Sequence, residues 1–225
     1  SRHKVGGHTS DVNVPTFTSD TKLIEKAANI LNSGEKVVIL VGQGALHAGD
    51  EVISVAEKLG APVVKALLGK AVIPDTHPVS IGGLGLLGTE PASDAMSEAD
   101  TLLMVGTSFP YIDYLPKPGQ AKGIQIDIKP DKIGLRYPVE VGLVGDSRLI
   151  LTTLLPMLHQ KQNLDFLKSK QQAMKNWISL LNEQSTRTDK PIKPQVIAAA
   201  VSVPFTMSPT HSRIGRRLEE TRKSG

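Results

Sequence analysis

Apolar residues along this chain follow two rhythms in alternation. The first is helical: Ile24, Ala27, Ala28 and Leu31 recur at three and four residues, the spacing of one buried stripe. Ser19 stands where an N-cap belongs and Gly34 where a helix closes. The second is K-V-V-I-L-V over residues 36–41. A run with no polar face predicts a strand covered on both sides, at the centre of a parallel sheet. The two rhythms then repeat. The pattern predicts a helix over 48–59 closed by Gly60, a strand over 62–66, a helix over 91–98 and a strand over 101–105. After a loop with Pro110, Pro116 and Pro118 come strands over 123–128 and 139–144, then a helix that Ser147 can cap.

Strand and helix in this order predict an α/β fold, a doubly wound parallel sheet of the Rossmann-like nucleotide-binding kind. Beyond Pro156 the strands stop. An amphipathic helix over 164–181 carrying Trp177, a proline-bounded linker over 190–194 and a short helix over 195–203 predict a C-terminal helical extension. The chain therefore divides into a linker over 1–17, a central α/β domain over 18–160, a helical linker over 161–203 leading toward a further domain, and a tail over 204–225.

Composition narrows the function classes. Of 225 residues 40% are apolar, enough for a sizeable core, whereas aromatics at 4% weigh against a base-stacking platform. Part of the +4 charge sits in the tail, where Arg213, Arg216, Arg217, Arg222 and Lys223 face Glu219 and Glu220. This segment reads as a disordered or appended end, not a nucleic-acid arm. The sequence has no cysteine, which removes disulfides, thiolate nucleophiles and Cys-based metal sites. No apolar run reaches the roughly 18 residues of a membrane span, and the chain opens on Ser1. The default expectation is a cytoplasmic protein with no membrane or nucleic-acid partner.

In open α/β sheets ligands bind beyond the carboxyl ends of the strands, so the candidate chemistry lies in those loops. V-G-Q-G-A-L-H, residues 41–47, has Gly42 and Gly44 for a tight turn and phosphate approach, followed by a helix with unpaired N–H groups. A nicotinamide fingerprint would place a third glycine where His47 stands and an acid where Lys65 ends the second strand. K-A-L-L-G-K (65–70) and I-G-G-L-G-L-L-G (81–88) follow. Lys65 and Lys70 could face phosphate or simply be solvated, and the second loop is either a ligand wall or a flexible connection. In V-G-T-S-F-P-Y (105–111), Phe109 and Tyr111 could flank a ring or cover the sheet. Asp127 ends a hydrophobic strand, where a carboxylate can accept from a ribose diol; Asp146 either caps the next helix or borders an adenine pocket. Rival catalytic sets fail: there is no H-E-x-x-H, no G-x-S-x-G, and Gly69-Lys70 runs into Ala71 instead of a magnesium-binding hydroxyl.

In this order the six loops resemble the central domain of thiamine-diphosphate enzymes of the pyruvate oxidase and pyruvate:quinone dehydrogenase type, over residues 18–158 and more loosely to 201. T-S-F-P-Y stands where acetolactate synthases typically carry an arginine-bearing V-R-F-D motif. The resemblance implies FAD in an extended pose along the strand ends. Gly42, Gln43 and Gly44 would meet its diphosphate. Ala66, Leu67 and Gly69 would line the ribityl and flavin side, with Gly83, Leu84 and Gly85 near the flavin and Thr107, Ser108 and Phe109 continuing that wall. Asp127, Ile128, Gly145 and Asp146 would hold the adenosine end. Thiamine diphosphate and Mg2+ belong to the intact parent enzyme, through a glutamate of its N-terminal domain and a G-D-G motif of its C-terminal one. Gly145-Asp146-Ser147 lacks the final glycine, so this chain alone is expected to be inactive. Its partners would be the remaining domains of the same enzyme, with homo-oligomer formation. Two alternatives stand beside this reading: a middle domain that binds nothing, and an NAD-binding domain.

Overall fold

A computed structural model describes residues 19–202; the linker expected over 1–17 and the basic tail expected over 204–225 lie outside the described residues. The strands are β1 (Val37–Val41), β2 (Val63–Lys65), β3 (Ser80–Gly83), β4 (Thr101–Val105), β5 (Lys122–Asp127) and β6 (Val141–Val144). The helices are α1 (Thr21–Ser33), α2 (Gly49–Leu59), α3 (Glu90–Glu98), α4 (Ser147–Leu154), α5 (Asp165–Ser185) and α6 (Pro194–Ser202). All six strands run parallel in the order β3-β2-β1-β4-β5-β6. The doubly wound α/β fold expected from the alternation is therefore the observed one.

Successive side chains of a strand point to opposite faces, so the unbroken run in β1 feeds two cores. Val37, Ile39 and Val41 pack with Leu103, Val105, Ile124 and Ile126 against the buried stripes of α1, α2 and α4. Val38 and Leu40 pack with Val64, Leu102 and Met104 against Ala92, Ala95 and Met96 of α3. Each such side chain contributes roughly 1.5–3 kcal/mol on burial, which selects the sheet centre for a run without polar positions.

Four local expectations are corrected. The cap of α1 is Asp20, whose side chain accepts from Lys22 N. Ser19 instead donates its hydroxyl to Val144 O at 2.9 Å, tying the start of α1 to β6. Gly34 closes α1 with φ −67°, so no left-handed turn requires it. It is there for space, since a Cβ would lie 2.8 Å from Thr101 Cβ. The cap of α4 is Asp146, accepting from Leu149 N at 3.1 Å, with Ser147 already inside the first turn. Finally, 80–83 is an edge strand and not part of a loop. Its pairing with β2 slips between Val63 and Lys65, and Gly82 adopts φ +99° there.

The chain divides into two units, Ser1–Lys175 and Asn176–Gly225. In the first, Lys170 of α5 is buried and donates to Glu98 Oε1 at 2.6 Å; that bond, ahead of the partial burial that opposes it, holds the Glu98 carboxyl below its ordinary value. In the second, α6 leaves Ile197 and Val201 exposed. Among the described residues no helix is long and apolar enough to cross a membrane.

Candidate functional site

This strand order sends the chain in opposite directions from β1 and β4, and the crevice at their carboxyl ends is where a doubly wound sheet ordinarily takes its ligand. Here the protein's own backbone closes that crevice. Gly42 N donates to Val105 O at 2.9 Å, Gly44 N to Gly106 O at 3.0 Å, and Gly106 N to Ile126 O at 2.8 Å. A Cβ on Gly44 would sit 2.8 Å from Gly106 Cα, and one on Gly69 would sit 2.8 Å from Gly42 Cα. The glycines after β1, β2 and β4 thus let three loops interlock into a crest. The amides of Gly42 and Gly44 are spent in forming it. The free helix N-terminus expected behind them is also unsuited to an anion: the first turn of α2 holds Asp50 and Glu51, which oppose a phosphate at that end of the helix dipole.

On the β2–β3–β4 side of the crest the surface is apolar. Leu67 is 74% exposed, Leu68 68%, and Leu86 and Leu87 89% each, with Tyr111 and Ile112 exposed beyond them. Leu84 and Phe109, expected to touch a ligand, are buried at 6% and 4%. They back this wall instead of facing outward: Phe109 meets Tyr111 edge-on with ring centroids 5.5 Å apart, and a Cβ on Gly85 would lie 3.7 Å from Phe109 Cζ. Gly83 and Ser108 are half-buried, while Ala66, Gly69 and Thr107 are buried in the loop bases. Leu68, Leu86, Leu87 and Ile112 were not singled out from the sequence. Their signal is two Leu–Leu pairs inside glycine-bearing loops, where no regular element can bury both.

On the β5–β6 side Asp127 is 8% exposed. Its Oδ1 accepts from Lys129 N at 2.9 Å; among the described residues no hydrogen bond reaches Oδ2. Gly145 N donates to the backbone oxygen of Asp127 at 3.0 Å, so Gly145 sits against the strand end, and Ile128 is exposed beside it. Gln125, buried, donates to Thr107 O and Lys132 O and accepts from Gly134 N, linking the crest to the loop that follows β5. Asp146 is engaged as the α4 cap.

The two lysines at the end of β2 and in its loop are also engaged. Lys65, only 2% exposed, donates to Asp75 and to Ile73 O at 3.2 Å, and Lys70 donates to Asp75 at 2.7 Å. The reading of Lys65 as a solvated or phosphate-facing lysine is therefore corrected. Arg148 Nε lies 3.6 Å from Glu51 Oε1. Burial pushes the Asp75 carboxyl up, but hydrogen bonds and charge from Lys65 and Lys70 outweigh it and hold it below its ordinary value. A depressed carboxyl stabilises the fold fully above its unfolded value and loses that contribution as pH falls through the lower folded value. Urea midpoints of the wild type are thus expected to fall more steeply below pH ~4 than those of Asp75→Asn; parallel curves would show that the pair contributes nothing. Among the described residues no group of three or more His, Asp or Glu side chains could hold a metal ion.

Comparison with known proteins places this geometry. The family model described as thiamine pyrophosphate enzyme, central domain, matches residues 24–154. A Bacillus subtilis protein named as thiamine pyrophosphate-containing is 44% identical over 172 residues, covering 76% of this chain and 30% of that protein. The acetolactate synthase large subunit of Haemophilus influenzae is 33% identical, covering 83% and 34%, and the pyruvate oxidase of Lactiplantibacillus plantarum 23% identical, covering 81% and 30%. Among solved structures, one from Mycobacterium smegmatis, described as a thiamin diphosphate-dependent enzyme, superposes with a TM-score of 0.55 at 27% identity over 68% of this chain and 31% of that one. The chain spans about a third of the length of these curated relatives.

Proposed function

Because the chain belongs to the thiamine pyrophosphate enzyme central-domain family, we propose that it is the FAD-holding middle domain of such an enzyme, of the oxidase or quinone-dehydrogenase branch. One observation carries the reading. Among the described residues nothing donates to Oδ2 of the strand-end carboxylate Asp127 at one end of the carboxyl edge, and an exposed apolar wall of leucines lies at the other. A molecule with a ribose at one end and a flat apolar ring at the other suits both. When bound, FAD supplies an electron acceptor. Asp127 would accept from the ribose, Gln43 would reach the diphosphate with its exposed side-chain amide, and Leu67, Leu68, Leu86 and Leu87 would exclude water from one side of the ring. Gly42, Gly44, Leu84 and Phe109 would act by shaping the surface and not by direct hydrogen bonds. The oxidase branch rests on T-S-F-P-Y, which brings no arginine to the crest; higher identity to an acetolactate synthase than to a pyruvate oxidase weighs on the other side. Thiamine diphosphate and its metal would be held by other domains of the parent, since Asp146 is committed to capping α4.

A middle domain that binds nothing is the second reading, favoured by the spent amides of Gly42 and Gly44. Titrating the purified chain with FAD, followed by flavin fluorescence, decides between the two. Saturable binding is expected, and Asp127→Ala should weaken it by about 1–3 kcal/mol, roughly fivefold to 150-fold. A flat titration would favour the scaffold, and unchanged affinity in the variant would remove Asp127 from the site.

A further inference from the structure

Lys65 carries a buried ammonium at the end of a strand. It ends β2 with 2% exposure, and its Nζ is held by Ile73 O at 3.2 Å and by the Asp75 carboxylate. The same residue's backbone oxygen accepts from Leu84 N at 3.0 Å. One residue therefore ties down the loop that leaves β2 and the loop that leaves β3. Between Ala66 and Lys70 the β2 loop is otherwise held by Ala66 N on Val41 O, by short-range turn bonds, by Gly69 packed against Gly42 and by Lys70 on Asp75. Its two large side chains, Leu67 and Leu68, point into solvent and cannot anchor it. Further on, Val72 and Ile73 are buried and fix the far end.

We propose that Lys65 and Asp75 form a positioning clamp that sets the 66–75 segment, and through it the apolar wall of Leu67 and Leu68. The clamp is independent of any ligand; its consequence for the cofactor rests on the FAD reading above. Its two ends are unequal. The Asp75 side chain is 55% exposed, so a carboxylate released from Lys65 can turn to water or keep Lys70 as partner. An ammonium released from Asp75 stays buried with one carbonyl, the costlier outcome. Loss of the acid should therefore loosen the segment more than loss of the base.

Amide hydrogen exchange on the full chain without cofactor tests this for the wild type, Lys65→Met, Asp75→Asn and Lys65→Arg. In the Lys65→Met and Asp75→Asn proteins, amides of 66–75 should exchange about tenfold faster or more, with Asp75→Asn the faster, while those of β1 and β4 stay as in the wild type. Lys65→Arg should restore most of the protection. Unchanged exchange over 66–75, or acceleration of every strand together, would overturn the clamp, the latter by reducing it to general support of the fold. In a parallel FAD titration, wild-type binding with equal affinity in the loosened variants would refute the positioning role. No binding by the wild type would remove the cofactor reading and leave the exchange result to decide the clamp alone.

Discussion

Gly106→Val is expected to cost about 2–5 kcal/mol, enough to unfold the domain or bring it close to unfolding at 25 °C. Two terms combine. Gly106 holds φ +61°, a left-handed conformation that costs an ordinary residue about 1–2 kcal/mol and a β-branched one more. A side chain there also has no room, because its Cβ would come 2.5 Å from Gly44 Cα and 2.6 Å from Ala45 N. Those atoms are backbone, so no rotamer change relieves the contact, and the overpacking adds about 1–3 kcal/mol. Gly119 isolates the first term, with φ +81° and nothing within 4 Å of an added Cβ. Urea midpoints should rank wild type, then Gly119→Ala close below it, then Gly106→Val far below. A Gly106→Val midpoint equal to that of Gly119→Ala would mean that the crest is not the tight junction described here.

That junction explains which parts of the molecule were readable from residues alone. The β-branched run of β1, the stripe of Ile24, Ala27, Ala28 and Leu31, and the left-handed Gly60 are local signals, and the fold follows them. Edge strand β3 escaped because S-I-G-G has neither length nor alternation; it exists through pairing with β2. The α1 cap was misplaced by one residue because Ser19 and Asp20 stand side by side and either could serve, whereas at α4 both Ser147 and Asp146 were open and Asp146 is the cap. Glycines at strand ends were the weakest guide. Sequence cannot distinguish a glycine kept small for a ligand from one kept small for a neighbouring loop, and Gly42, Gly44 and Gly69 are of the second kind by geometry. Lys65 shows the same limit for charge, since its partner lies ten residues on, across a turn whose path no periodicity reveals. The need of Asp127 for a donor was legible for a simpler reason. An acid ending a hydrophobic strand needs a donor, and only part of its hydrogen-bonding capacity is met by Lys129.

Gln125 links the crest to the turn that follows β5, and its replacement by leucine should cost about 2–4 kcal/mol. It lies in β5 beside Met104, 2% exposed, on the α3 face of the sheet. Its amide nitrogen donates to Thr107 O at 3.1 Å and Lys132 O at 3.0 Å, and its oxygen accepts from Gly134 N at 2.8 Å. Leucine keeps the volume and loses all three bonds. Each buried group left without a partner costs about 1–3 kcal/mol, but Gly134 is exposed and can turn to water, so the sum falls short of three full penalties. Gln125→Glu separates hydrogen bonding from packing. Its carboxylate could still accept from Gly134 N but would face two carbonyl oxygens, so the repulsion raises its pKa and the variant should gain stability as pH falls. The measurement is a pair of urea midpoints for each variant, at pH 7 and pH 5. Equal stability of Gln125→Leu and wild type would show that the crest and the 130–134 turn hold their positions without the glutamine. If they do, the position of Asp127 is set by the chain path of β5 alone.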